Sequence, residues 1–356
     1  MSGTLIITSV DAHAEGEPGR ILLGSHLQVR GTTMSERLRW CTEHMDDLRM
    51  LLLREPRGHP AMCGVLVLPP VTDTADVALI ILEQGGFRPM SGSNTICAVT
   101  ALLETGALPM RGPETVVRID TAAGLVEATA SVSGGKVTRV RVRNVPSWVV
   151  ALDTPLEMPE YGTVLADVAF GGQFYVLVPA SAMGVKLGAE NAPTIVRAGA
   201  ALLAAARAQV EVHHPDDPNL GQISLAMLHG PADSPGVSAQ NSVVMPTGEL
   251  DIARPETWRG ALDRSPCGTG TSARMACLHA RGELALGVPF VHQGVLGTTF
   301  EGLLHERVRF AGHDAVVPSI AGQAWITGIN QHVLHPDDPF PRGYAVGDVW
   351  GTSSVS

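Results

Sequence analysis

Lysine is nearly absent from this chain of 356 residues: Lys136, after the Ser133-Gly-Gly turn, and Lys186, between Gly184 and Gly188, are its two. Chemistry that runs through a lysine Schiff base, as with a pyridoxal cofactor, would have to use one of them, and neither sits in a motif that suggests it. Aromatic residues make up 4% of the chain, too few for a base-stacking platform. Basic charge is also short, with 25 Lys and Arg against 35 Asp and Glu for a net charge of −10. Lacking basic blocks, the chain has no means of neutralising the phosphates of a nucleic acid or an anionic membrane. No apolar run reaches the roughly 18 residues of a membrane span; Ile195–Val210 is interrupted by Arg197 and Arg207. The first ten residues lack the basic start, apolar run and small-residue cleavage site of a signal peptide. No Cys-x-x-Cys pair occurs among Cys41, Cys63, Cys97, Cys267 and Cys277, so reduced thiols in a cytoplasmic protein are expected. The 13 histidines contain no His-x-x-x-His or His-Glu-x-x-His pattern, and no metal is expected. His-Pro-Asp-Asp-Pro, at 214–218 and again at 335–339, is a turn signature.

What is present is an ample apolar fraction, 45%, with 39 glycines and 25 prolines. The length fits one large or two medium domains that need no disulfide or metal staple. The glycine and proline favour many short elements over a helical bundle. Strands are expected at Val65–Leu68, Val77–Leu82, Thr115–Ile119, Val137–Val142, Phe174–Val178, Ile223–Leu228 and Val308–Phe310, and helices at Glu36–Met50 and Ala198–Val210.

The chain is also written twice. Ser91-Gly-Ser-Asn-Thr95 leads into an apolar helix that stops at Gly106, and Cys267-Gly-Thr-Gly-Thr271 leads into one that stops at Gly282. Positions 91 and 267 are 176 residues apart, nearly half the chain. Either segment alone is accounted for by helix capping, for which Ser, Thr, Asn and Gly are suited. The mirrored occurrence, with a cysteine in one copy, points further. The sequence therefore predicts two similar α/β halves, the first over residues 1–150 and the second from residue 151 on. The division is expected near residues 145–165, in the Pro-rich stretch from Asn144 to Glu160.

A helix start presents unpaired N–H groups and partial positive charge, which suits a carboxylate. It also lowers the pKa of a thiol placed there. Amides of Gly92, Ser93, Gly268 and Thr269 holding one carboxylate would put Ser91 and Cys267 on opposite faces of its α-carbon. Proton removal and return at that carbon then need no cofactor, with Cys267 as thiolate base. Asp263, four residues before the cysteine, is suited to holding the substrate ammonium. Cys41, Cys63, Cys97 and Cys277 are expected to be buried hydrophobes.

These segments resemble the proline racemase family, which includes hydroxyproline 2-epimerases and trans-3-hydroxy-L-proline dehydratase. The resemblance runs through Asp11–Arg20, Glu55–Pro60, Pro89–Thr95, Phe170-Gly-Gly-Gln-Phe-Tyr175, His214–Pro218 and Asp263–Thr271, with Trp325-Ile-Thr-Gly328 near the end. It implies an α+β fold like that of diaminopimelate epimerase, with two pseudo-symmetric domains, the site in their cleft, and the segment 325–356 returning to the first domain. Residue by residue it implies acid/bases at Ser91 and Cys267, carboxylate-binding amides at Gly92, Ser93, Gly268 and Thr269, and an amine-binding Asp263. His13 and His59 fall in matching loops, as scaffold or contact.

Two positions depart from the pattern. Family racemases and epimerases usually carry cysteine where this chain has Ser91, and often histidine where it has Ser93. A serine hydroxyl is a poor base at neutral pH unless a neighbour activates it, so a Ser/Cys pair handicaps proton removal on one face. The leading expectation is therefore dehydration of trans-3-hydroxy-L-proline to Δ1-pyrroline-2-carboxylate. Epimerisation of 4-hydroxyproline, or racemisation of proline, is the alternative, as main or side activity. An amino-acid binding protein without catalysis is the alternative of another class. The expected partner is a small proline-like amino acid, with the chain a monomer or homodimer.

Overall fold

The computed structural model describes residues 4–23, 27–217 and 220–346. Pro218 and the tail 347–356, both included in the expectations above, lie outside the described residues. The strands are β1 (Leu5–Ala14), β2 (Glu17–Leu23), β3 (Cys63–Leu68), β4 (Val77–Glu83), β5 (Gly86–Arg88), β6 (Glu114–Thr121), β7 (Gly124–Ser133), β8 (Lys136–Arg143), β9 (Ser147–Met158), β10 (Gly162–Phe170), β11 (Phe174–Pro179), β12 (Ile223–Gly230), β13 (Ala239–Pro246), β14 (Gly260–Leu262), β15 (Phe290–Gln293), β16 (Thr299–Phe310), β17 (His313–Gly322) and β18 (Ala324–Leu334). The α-helices are α1 (Met34–His44), α2 (Asp46–Leu53), α3 (Gly92–Glu104), α4 (Ala192–Gln209) and α5 (Gly268–Ala280).

The chain divides into two compact units, Met1–Val140 with Gln323–Ser356, and Arg141–Gly322. The Pro-rich stretch expected to hold the boundary is largely strand β9, which hairpins onto β10 inside the second unit.

In the first unit β18, β1, β2, β3, β4, β6 and β7 pair side by side, and β5 turns back along β4. β4 is buried along its whole length, as a central strand covered on both faces must be. The helix expected over Glu36–Met50 is two helices. Thr33 and Glu36 form a capping box at the start of α1. The chain then breaks at Met45 (φ −121°, ψ 11°), and α2 restarts at Asp46 and Asp47, whose charges favour a new helix start.

In the second unit the strands close on themselves. β9, β10, β11, β12, β13, β15, β16 and β17 pair in turn, and β17 pairs back to β9. Closure leaves this set of strands without an open edge. The scarce aromatics gather here: Trp148 stacks on Phe170 with ring centroids 4.2 Å apart and meets Phe174 edge-on. His214 tilts against both Trp148 and Phe170, and burial lowers its pKa.

Each unit is built around one helix. α3 is lined by β1, β2, β3, β7 and β18, and α5 by β9, β10, β11, β16 and β17. Both are 13 residues long and buried nearly all round, which is why they read as apolar with little amphipathic stripe. Each ends on a glycine in the left-handed region, Gly106 (φ 74°) and Gly282 (φ 77°), the residue that pays least for that backbone. Among the described residues no helix is long and apolar enough to cross a membrane.

Candidate active site

The first helix start is assembled by β5 and the short run into α3. Ser91 is the N-cap, in ordinary extended backbone (φ −148°, ψ 127°). Its Oγ accepts from the Asn94 backbone N–H (3.4 Å) and from Asn94 Nδ2 (3.1 Å), and lies 3.3 Å from Ser93 Oγ. Two N–H donors thus occupy the oxygen's lone pairs, and what the hydroxyl has left to offer is its proton. Thr95 Oγ1 donates to the Ser91 carbonyl at 2.7 Å. The amides of Gly92 and Ser93, in the first turn, have no intrahelical acceptor. Ser91, Ser93 and Asn94 are all buried, and Asn94 Oδ1 meets no donor.

The second helix start is built differently. Cys267 precedes α5 at φ 62°, ψ 107°, a backbone that a non-glycine residue adopts only when its surroundings over-determine it. They do so here. Asp263 leaves β14 with its N–H on the Val243 carbonyl (2.9 Å). Its Oδ1 accepts from both the N–H and the hydroxyl of Ser265, each at 2.8 Å, and Ser265 Oγ accepts from the Cys267 N–H at 3.1 Å. The Pro266 carbonyl accepts from Asn241 Nδ2 (2.9 Å) and Thr271 Oγ1 (3.2 Å), and Thr271 is hydrogen-bonded to His292 Nδ1 (2.8 Å). The peptide entering Cys267 is held from both ends, so the thiol does no capping. The N–H groups of Gly268 and Thr269 open the helix without intrahelical acceptors.

Two glycines allow the close packing. A Cβ on Gly171, in the Phe170-Gly-Gly run, would lie 2.2 Å from the Thr269 carbonyl oxygen. A Cβ on Gly270 would lie 2.7 Å from Met227 Cε and 3.0 Å from Cys267 Sγ. Side chains at these positions would push on the start of α5.

The thiol overturns one expectation. Cys267 has a pKa raised above the ordinary cysteine value, first by burial and next by the Asp263 carboxylate, against the opposing pull of the Tyr175 hydroxyl and the Gly270 N–H. A helix start is worth up to about 2 kcal/mol to a charge, whereas full burial moves a pKa by up to roughly 3 to 5 units. Burial therefore outweighs the helix start. Cys41, Cys63, Cys97 and Cys277 are buried, and burial pushes Cys41 and Cys277 up to about 12.

Of the seven residues singled out in the sequence, Ser91, Gly92 and Ser93 come together at the α3 start, and Asp263, Cys267, Gly268 and Thr269 at the α5 start. Sequence reasoning missed Asn94, Ser265 and Tyr175 as partners. Tyr175 Oη stands 3.2 Å from Cys267 Sγ and 2.6 Å from Thr269 Oγ1; its one signal was its place at the end of the Phe170–Tyr175 motif. His13 stacks on Trp325 at 5.1 Å, joining two of the matching segments.

Comparison with known proteins places this architecture. The family model described as proline racemase matches residues 9–345. A 4-hydroxyproline 2-epimerase of Streptosporangium roseum is 40% identical over 95% of this chain and 98% of its own. A proline racemase of Clostridioides difficile is 35% identical over 95% and 97%. A solved hydroxyproline epimerase from Agrobacterium vitis, with bound trans-4-hydroxy-L-proline, superimposes with TM-score 0.91 at 36% identity over 99% of this chain and 98% of that one. The two-unit α+β fold is the one the resemblance implied, and the chain belongs to the proline racemase family.

Proposed function

We propose that this protein epimerises 4-hydroxyproline at its α-carbon without a cofactor, with Cys267 and Ser91 as the proton-transfer pair. The observation that carries the reading is the α5 start, where a thiol freed from capping shares a buried loop with Asp263 and two helix amides that have no intrahelical acceptor. The substrate carboxylate is held by the amides of Gly92, Ser93, Gly268 and Thr269, which stabilise the enediolate charge as it develops. The secondary ammonium is held by Asp263. Its arrival cancels the carboxylate charge that holds the thiol protonated, so the substrate itself eases Cys267 towards thiolate. Cys267 then takes the α-proton, and Ser91 returns one to the other face. The names of the relatives, epimerase and racemase, favour this reaction over dehydration as the main activity.

Dehydration of trans-3-hydroxy-L-proline is kept as a second reading by one observation: Ser91 Oγ accepts from two N–H groups of Asn94. A hydroxyl so engaged gives a proton more readily than it takes one. Epimerisation in both directions needs Ser91 to do both, by microscopic reversibility, whereas elimination needs it only to protonate the departing C3 hydroxyl as water. The test is NMR in deuterated water with proline and with the 3- and 4-hydroxyprolines. Epimer formation with deuterium at the α-carbon of 4-hydroxyproline supports the proposal, and loss of the 3-hydroxy compound to pyrroline carboxylate supports the second reading. No α-exchange with any of them overturns both and leaves a binding protein.

A further inference from the structure

We propose that Tyr175 is the positioning residue that sets the protonation of Cys267, by turning its hydroxyl from Thr269 to the sulfur when the thiolate forms. The inference rests on the reading of Cys267 as the base, but its geometry stands apart from any substrate. Tyr175 lies in β11, wholly buried, on a strand packed against α5. Its Oη is 2.6 Å from Thr269 Oγ1 and 3.2 Å from Cys267 Sγ. One phenol proton faces two acceptors, and the Thr269 hydroxyl has a proton of its own.

The two hydroxyls therefore have two arrangements. With sulfur protonated, Tyr175 donates to Thr269. With sulfur ionised, Thr269 donates to Tyr175 and Tyr175 donates to the thiolate, a charge-assisted bond stronger than the neutral one it replaces. The contact is kept short by Gly270, whose added Cβ would lie 3.0 Å from Sγ and 3.1 Å from Tyr175 Cε1. The titratable groups acting on the sulfur are Asp263, from its own loop, and Tyr175, from β11. The neighbour from β12, Met227, is apolar. Asp263 opposes the thiolate and Tyr175 favours it, so the loop and the strand pull the same proton in opposite directions.

Tyr175→Phe keeps the ring and removes the hydroxyl. The alkylation rate of Cys267 by iodoacetamide, followed by mass spectrometry across pH, reports thiolate formation with no substrate present. Its midpoint is expected to rise by about one pH unit. The acidic limb of kcat/KM for 4-hydroxyproline should rise with it, giving a loss of about tenfold below the midpoint and recovery above it. A merely structural tyrosine would lower activity at every pH. Thr269→Val, which keeps the amide and removes the donor to Tyr175, should shift the midpoint the same way by less. Unmoved alkylation midpoints in both folded variants would overturn the proposal, whatever happens to turnover. Were the wild type to exchange no α-proton while Tyr175→Phe still moved the alkylation midpoint, the proposed function would fail and the assignment of Tyr175 would stand.

Discussion

The two helix starts occupy matched positions in matched helices, yet their leading side chains are put to opposite uses. Ser91 caps its helix in relaxed backbone and accepts two N–H groups. Cys267 sits at positive φ, caps nothing, and leaves the holding of its backbone to Ser265, Asn241 and Thr271. The lesson is that a duplicated helix start becomes two chemically distinct groups when one copy moves the capping duty from the side chain to the preceding loop. The proposed roles follow this difference: the hydroxyl tied into a cap is the readier proton donor, and the thiol excused from capping is the one assigned to take a proton.

The largest effect expected from breaking this comparison is Cys267→Ser, which leaves a hydroxyl at both starts. Turnover should fall by about 10³-fold, within the range for a lost general base, while the melting temperature stays close to that of the wild type. Asp263→Asn comes next. With the proposed partner of the substrate ammonium neutralised, kcat/KM should fall by about 10²-fold, the scale of a lost charged contact. The alkylation midpoint of Cys267 in the empty protein should move down in pH, because the charge that raises it is gone; a midpoint that moves up would contradict the account of the thiol.

Ser91→Cys removes the asymmetry from the other side. With a thiol on both faces, 4-hydroxyproline epimerisation should gain about tenfold relative to any elimination, read as the ratio of the two products from parallel assays. The smallest effect is on stability. Ser91→Ala deletes a buried N-cap and should cost about 1 kcal/mol in chemical denaturation.

Much of this comparison is legible in the amino-acid sequence alone. The helix starts at 91 and 267, their glycine stops and Asp263 are local patterns, and local physics fixes them. What escaped is what distant chain supplies. Tyr175 meets Cys267 from another element, and a motif shows its presence but not its contact. The thiol was expected to be acidic because a helix start can be read from neighbouring residues, whereas burial by a closed set of strands cannot. The sequence places the boundary in β9 because Pro146 and Pro155 mask a strand that pairs along both sides, to β10 and β17. The break at Met45 carries neither glycine nor proline, so the apolar run on either side reads through it.

The division of labour between the two starts is tested most directly by Ser91→Ala in deuterated water with each epimer of 4-hydroxyproline. Cys267 should still take the α-proton from one epimer and return deuterium to the same face, so that epimer exchanges, the other does not, and neither is converted. Conversion at the wild-type rate, or loss of all exchange while Cys267→Ser retains it, would contradict the assignment of the thiol as the group that takes the proton.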